Sequence, residues 1–395
     1  MELLKRAWIE ISLDNLRYNY KQIKSLIPET TIIMAVLKAN GYNCGDIQIA
    51  GELAKLDGKI QFAVSNINEA IGLRNGGIKN PILILGYTPP ELANKLFQYD
   101  VTQTLVSFEY AQQLNIMAKE MNAKPKVNVK LDTGMGRIGI VCYDEFFKNA
   151  VEEVNEIFGM ENLEITGCYT HISTLYENDE SSLEYTKIQY LRFMRITDYL
   201  KNIGLKLGLL HCLNSAGTAN MPQMALDMVR PGTLIYGALP DMYNHSGIEF
   251  KPIVKIKATV AKVSTNKKSS YIGYSRAFTV TEDIKTAVLT IGYSDILRMG
   301  QGKGKVLIND KFCNVIGGVC MDQMVVDITH AGEVNAGDTA VILGRYDKNE
   351  ITFEDMSQFL QSGEEEIYCH ITSRPQRVYY DNGQVVLCTG FGTMV

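Results

Sequence analysis

The chain has 395 residues, 46% of them hydrophobic and 21% charged, which excludes disordered and fibrous classes and leaves length for more than one core. Thirty-nine basic against 44 acidic residues give a formal net charge of −5, the wrong balance for a surface that tracks nucleic-acid phosphates, so a small-molecule partner is expected and no nucleic acid. No apolar run reaches bilayer-spanning length, and eight scattered cysteines without a C-x-x-C pair read as reduced thiols, which predicts a cytoplasmic protein with no membrane partner.

In chain order, residues 7–11 alternate apolar and polar side chains and precede the first βα repeat without a partner in that series, so they are expected to pair with a later sheet. Eight β-rich runs come next, at 30–38, 60–65, 81–86, 101–107, 126–132, 165–171, 209–215 and 227–236. Between them lie segments such as 47–57, 108–121 and 181–203, whose apolar residues recur three and four apart. This alternation calls for βαβ units, and eight is the number of strands that closes a parallel barrel. Beyond residue 240 the texture changes to short segments at 253–264, 270–280, 285–292, 305–309, 312–317, 323–328 and 339–344, separated by Gly, Asn and Asp turns. The expected fold is therefore α/β: an N-terminal strand within 1–11, a (β/α)8 TIM-type barrel over 12–240, and a mainly β C-terminal domain over 241–395. A doubly wound open sheet can use the same eight runs; the residues at the strand ends favour the barrel.

Those strand ends carry the polar chemistry. Lys38 closes the first run, at the carboxyl end that forms the catalytic face of a barrel, although position alone also suits a cation reaching solvent. Period 2 places Lys130 and Asp132 on one inward face of the fifth run, where a lysine is costly unless neutralised. His171 ends the sixth run, His211, Asn214 and Ser215 the seventh, and Arg230, Gly232 and Thr233 the eighth. Barrels commonly hold a phosphate with the loops after strands seven and eight, where small residues expose backbone N–H groups.

Lys38-Ala39-Asn40-Gly41-Tyr42-Asn43-Cys44-Gly45 and Lys130-Leu131-Asp132-Thr133-Gly134-Met135-Gly136-Arg137 closely resemble motifs of the alanine racemases, pyridoxal-phosphate enzymes of fold type III. The resemblance spans nearly the whole chain and implies pyridoxal 5'-phosphate as cofactor, covalently bound by Lys38, with Tyr42, Ser215, Gly232 and Thr233 at its phosphate. It also implies Arg230 at the pyridine nitrogen, His171, His211 and Asn214 around the ring, and a carbamylated Lys130 orienting Arg137 toward cofactor and substrate. In the β domain, Tyr271-Ile272-Gly273-Tyr274-Ser275-Arg276 resembles the segment with the catalytic tyrosine, which falls on Tyr274, and Val319-Cys320-Met321-Asp322 the stretch that meets substrate across a dimer interface. The implied activity is interconversion of L- and D-alanine by two bases, Lys38 and Tyr274 of the partner subunit, in a homodimer with shared sites and no metal.

An arginine at the pyridine nitrogen keeps its proton and leaves the ring a weak electron sink, which suits moving a single Cα proton. Three positions depart from the family pattern: Gly318 replaces a usual arginine, Ile296 a glycine, and Glu365 a tyrosine near the substrate methyl. A polar group there suits a hydroxylated side chain, so serine racemisation stands beside alanine racemisation. A non-catalytic pyridoxal-phosphate carrier resembles the same barrel but lacks a β domain, so residues 241–395 speak against it, and Arg230 contradicts a decarboxylase of this fold type.

Overall fold

The computed structural model describes residues 3–175, 179–238, 244, 246–296 and 304–390, with Glu364 described by its backbone. After β1 (Ala7–Ser12), the runs expected for the barrel form β2 (Ile32–Val36), β3 (Gln61–Val64), β4 (Ile82–Ile84), β5 (Thr102–Leu105) and β6 (Lys126–Asp132). A short β7 (Ile140–Val141) precedes β8 (Glu164–Tyr169), β9 (Leu209–His211) and β10 (Met228–Val229). The parallel order β5-β4-β3-β2-β10-β9-β8-β6 closes on itself through the pairing of β5 with β6, so the sheet is the expected eight-stranded barrel and not an open sheet. β2, β3 and β4 are buried on both faces, which explains their nearly continuous apolar sequences, whereas β6 is buried too but alternates Asn128, Lys130 and Asp132 with apolar residues.

The outer helices begin where the sequence supplies a cap. Ser12, Asn66, Ser107 and Asp179 each accept a hydrogen bond from a backbone N–H in the first turn of the helices Leu13–Leu26, Ile67–Asn75, Phe108–Glu120 and Glu180–Asn202. Several strands stop earlier than their apolar runs. β2 ends at Val36, so Lys38 opens a separate turn, and β9 ends at His211 because Asn214 caps a helix over Ser215–Asn220. β10 spans only Met228–Val229, so Arg230, Gly232 and Thr233 lie in the connection beyond it.

The second sheet contains β11 (Val254–Asn266), β14 (Ile284–Leu289), β15 (Lys305–Ile308), β16 (Lys311–Ile316), β17 (Met324–Asp327), β18 (Thr339–Arg345), β19 (Glu350–Ile351), β20 (Gln376–Asp381) and β21 (Gln384–Thr389). β1 sits inside it, antiparallel to β11 and parallel to β20. The segment expected as one strand at 270–280 is instead a hairpin, β12 (Tyr271–Ile272) and β13 (Phe278–Thr279). Ser275 and Arg276 adopt positive φ between them and break the pairing. Tyr274, at the tip, is 78% exposed. One apolar core continues from the barrel into this domain through Ile9, Ile11, Tyr236, Tyr368 and Tyr379. Among the described residues no helix is long and apolar enough to cross a membrane.

Candidate active site

A cavity of about 340 Å³ opens at the carboxyl end of the barrel strands. It lies within the range of small-molecule sites, about 300–1,000 Å³. Lys38, Tyr42, Lys130, Arg137, His171, Asn214, Ser215, Arg230, Gly232 and Thr233 all line it, as does Glu365 from the helix Glu364–Cys369 of the β domain. Val36, Leu85 and Ile138 supply the apolar wall.

Lys38 stands at the mouth, its Nζ 5.7 Å from the centre of the Tyr42 ring. The chain then enters a left-handed turn in which Ala39, Asn40, Gly41, Tyr42 and Asn43 all have φ between 52° and 60°. This places the Tyr42 hydroxyl against Gly232, where a Cβ would come within 2.6 Å of it, and the Ser215 hydroxyl accepts from Gly232 N at 2.8 Å. Two hydroxyls and a glycine backbone thus converge on a cradle that a side chain at residue 232 would fill.

Lys130 projects from β6 into the cavity wall and is almost fully buried, its Nζ donating to Ile138 O at 2.8 Å. Burial pushes its pKa from 10.5 down to about 8, the charges of Arg137 and Arg230 push the same way, and Asp132 opposes them. Asp132 does not serve Lys130 as an ion-pair partner among the described residues. It accepts from Gly134 N and Met135 N, both at 2.8 Å, and from Gly136 N at 2.9 Å. Those bonds fold the loop that carries Arg137 back over the barrel. Gly139 is needed at the loop's end because a Cβ there would meet Lys130 O at 2.8 Å.

Arg230 is buried without a carboxylate partner among the described residues. Its guanidinium donates to His211 Nδ1 at 2.6 Å, to His171 Nδ1 at 3.2 Å and to Thr170 O at 2.8 Å. An arginine only donates, so both imidazoles accept at Nδ1 and are neutral, each with its proton on Nε2, which at His211 requires the neighbouring Asn128 amide to present its oxygen to that proton. Burial first and the charge of Arg230 second hold both histidines well below the usual imidazole range, in agreement with that tautomer. His211 does not line the cavity. It is fully buried behind it, because β9 ends there with the ring turned inward, and it stacks on Tyr169 with centroids 4.8 Å apart and planes 3° from parallel.

Tyr169 is a cavity residue that the sequence pattern did not single out. Arg230 lies over its ring at 4.9 Å, and its hydroxyl bonds Thr104 Oγ1 at 2.9 Å. Its signal was register, since Tyr169 lies directly beside Lys130 on the neighbouring strand. Tyr274, Cys320, Met321 and Asp322 are not brought to the cavity within one chain.

Four cations face this cavity, Lys38, Lys130, Arg137 and Arg230, against Glu365 as the one carboxylate among its described lining residues. The donor set suits a ligand with several negative charges, the hydroxyl cradle suits a phosphate, and the apolar wall suits an aromatic ring.

Profiles of known families match over most of the chain: the alanine racemase N-terminal domain over residues 11–240 and the alanine racemase C-terminal domain over 253–379. Alanine racemase 1 of Clostridium acetobutylicum is 36% identical over 385 residues, 97% of each chain. A solved alanine racemase from Clostridium difficile 630 superposes with a TM-score of 0.90 at 33% identity, covering 98% of this chain and 99% of that one. A histidine racemase from Leuconostoc mesenteroides superposes with a TM-score of 0.85 at 26% identity, covering 96% of this chain and 99% of that one, so the fold also serves another side chain. On the two matched domains and these near full-length relatives, the chain belongs to the alanine racemase family.

Proposed function

We propose that this protein interconverts L- and D-alanine with pyridoxal 5'-phosphate, as a cytoplasmic homodimer. The observation that carries the reading is the single cavity in which Lys38, the hydroxyl cradle and four cations meet. Tyr42, Ser215, Gly232 and Thr233 would hold the cofactor's phosphate, with Asn214 beside them, and Arg230 its ring nitrogen. Lys38 would attach it. When bound, the cofactor supplies an electron-withdrawing ring that acidifies the Cα–H bond of the substrate.

The chain's own residues do the rest. Arg230 donates hydrogen bonds without releasing a proton, and the neutral His171 and His211 accept from it, so neither protonates what faces the guanidinium. Arg137 provides a fork for the substrate carboxylate. Inversion at Cα requires proton transfer on two opposite faces, and a single group does not readily reach both. Lys38 Nζ holds and moves the proton on one face, and the Tyr274 hydroxyl of the partner subunit does so on the other. The exposure of Tyr274 and its absence from its own chain's described cavity lining support this division. Cys320, Met321 and Asp322 would join it from the partner as substrate contacts.

Lys38→Ala and Tyr274→Phe are each expected to abolish most racemisation, and mixing the two variants should restore activity, because one site of the mixed dimer is intact. Deuterium from heavy water should enter Cα of both enantiomers in the unmodified protein. Full activity of either single variant, or no recovery despite demonstrated subunit exchange, overturns the reading. Glu365 in the cavity lining favours serine as a second substrate.

A further inference from the structure

We propose that Arg377 and Tyr379, on β20 of the same chain, are positioning residues for Lys38: they clamp the left-handed turn that begins at the lysine. The proposal rests on the catalytic role of Lys38 under the proposed function.

Four L-residues in a row of five, Ala39, Asn40, Tyr42 and Asn43, occupy a backbone region that L-residues avoid. Such a turn persists only where its surroundings over-determine it. The barrel contributes Glu69, whose carboxylate accepts from Ala39 N at 2.8 Å and from Ser65 N at 2.7 Å, and Asp46, whose N donates to Asn40 Oδ1 at 3.2 Å. Further supports come from the C-terminal domain. Arg377 Nε donates to Asn43 O at 3.1 Å, and Tyr379 OH donates to Cys44 O at 2.8 Å. Asn43 Nδ2 in turn donates to Tyr368 O at 3.0 Å and Cys369 O at 3.1 Å.

Arg377 and Tyr379 are both buried, so their bonds to the turn are shielded from competing water. The approach is close enough to dictate sequence. Gly45 has φ +89°, and a Cβ there would lie 2.1 Å from the Tyr379 hydroxyl. The C-terminal domain therefore acts on its own chain's lysine as well as reaching outward with Tyr274. Losing one of these bonds lets the turn populate relaxed backbone states that carry Lys38 away from its working position.

The test uses Tyr379→Phe, which keeps the ring and removes one bond. In the cofactor-free full-length protein, amide hydrogen exchange at Gly41, Asn43, Cys44 and Gly45 should accelerate about tenfold. In the loaded enzyme kcat should fall about tenfold while KM for alanine holds, because proton transfer and not substrate contact is disturbed. Adding Ala39→Gly, which accepts positive φ without penalty, should restore kcat. Unchanged exchange overturns the clamp, as does faster exchange with unchanged kcat or a failure of Ala39→Gly to rescue. The exchange arm involves neither substrate nor cofactor, so its failure is distinct from failure of the Lys38 role, which would appear as racemisation surviving Lys38→Ala.

Discussion

We predict that carbon dioxide modifies the amine of Lys130, and the size of the effect is set by its surroundings. With a pKa held at about 8, against 10.5 for an ordinary lysine, about a quarter of the side chains are neutral at pH 7.5. For an unperturbed lysine the neutral fraction would be about one in a thousand, so the nucleophilic form is enriched about 200-fold. Adding carbon dioxide to that amine yields a carbamate anion and releases a proton. The product turns two repulsions, from Arg137 and Arg230, into attractions, and it gives the Arg137 fork a partner that Asp132 does not provide. Carbon-13 bicarbonate should therefore place one labelled carbamate per chain, visible by NMR, lost in Lys130→Ala and declining as pH falls below 8. Absence of label at saturating bicarbonate near pH 8 would refute the reasoning.

The sign of the accompanying stability change is also fixed. The unmodified amine has a folded-state pKa below its unfolded value, so the unfolded chain binds more protons between pH 8 and 10.5, and stability rises with pH across that window. The displacement from 10.5 to about 8 corresponds to about 3 kcal/mol, a cost fully present below pH 8 and relieved above it. Removing bicarbonate should expose this slope in denaturant titrations, and Lys130→Met should abolish it.

Gly232→Ala drives a methyl to within 2.6 Å of the Tyr42 hydroxyl, so pyridoxal-phosphate affinity should fall by about tenfold or more in a spectroscopic titration, whereas a displaced Tyr42 with unchanged affinity would remove the cradle from the phosphate site. His211→Phe keeps an aromatic ring on Tyr169 but removes the acceptor for Arg230 Nη1, and should cost about 1–3 kcal/mol in urea unfolding; an unchanged midpoint would mean that the guanidinium finds another partner. Glu365→Tyr removes the one carboxylate among the described cavity-lining residues, and the serine-to-alanine ratio of kcat/KM should drop about tenfold, equivalent to about 1.4 kcal/mol of differential transition-state binding. A constant ratio would mean that the carboxylate points to solvent.

Much of the site was legible because a parallel barrel fixes which end of each strand faces the chemistry. Once the eight apolar runs were in register, Lys38, Lys130, His171, Ser215 and Arg230 fell at one face without knowledge of contacts. What stayed hidden depended on tertiary structure. Apolar Leu213 extended the seventh run past the point where Asn214 caps a helix, and β20 shows no alternation because its first residues, from Gln376 to Tyr379, are buried on both sides. The left-handed turn after Lys38 has a glycine at only one of its five positions, so local propensity argued against it. Its supports from β20 are more than 300 residues away along the chain.

The hairpin at Tyr274 poses the complementary problem. Gly273, Ser275 and Arg276 all adopt positive φ to lift the tyrosine clear of the sheet, yet in its own chain the side chain is 78% exposed. Arg276 stacks 5.3 Å from the Tyr271 ring, which steadies the base of the hairpin and leaves the tip free. Two non-glycine residues held in a disfavoured region, with no burial of the group they present, have no return in the folding of a single chain. The turn after Lys38 is strained in the same way, and there the return is visible as clamping bonds from β20. In the homodimer proposed above, the return for the Tyr274 tip would lie outside its own chain, over the mouth of a second barrel whose described lining holds the lysine but not the tyrosine.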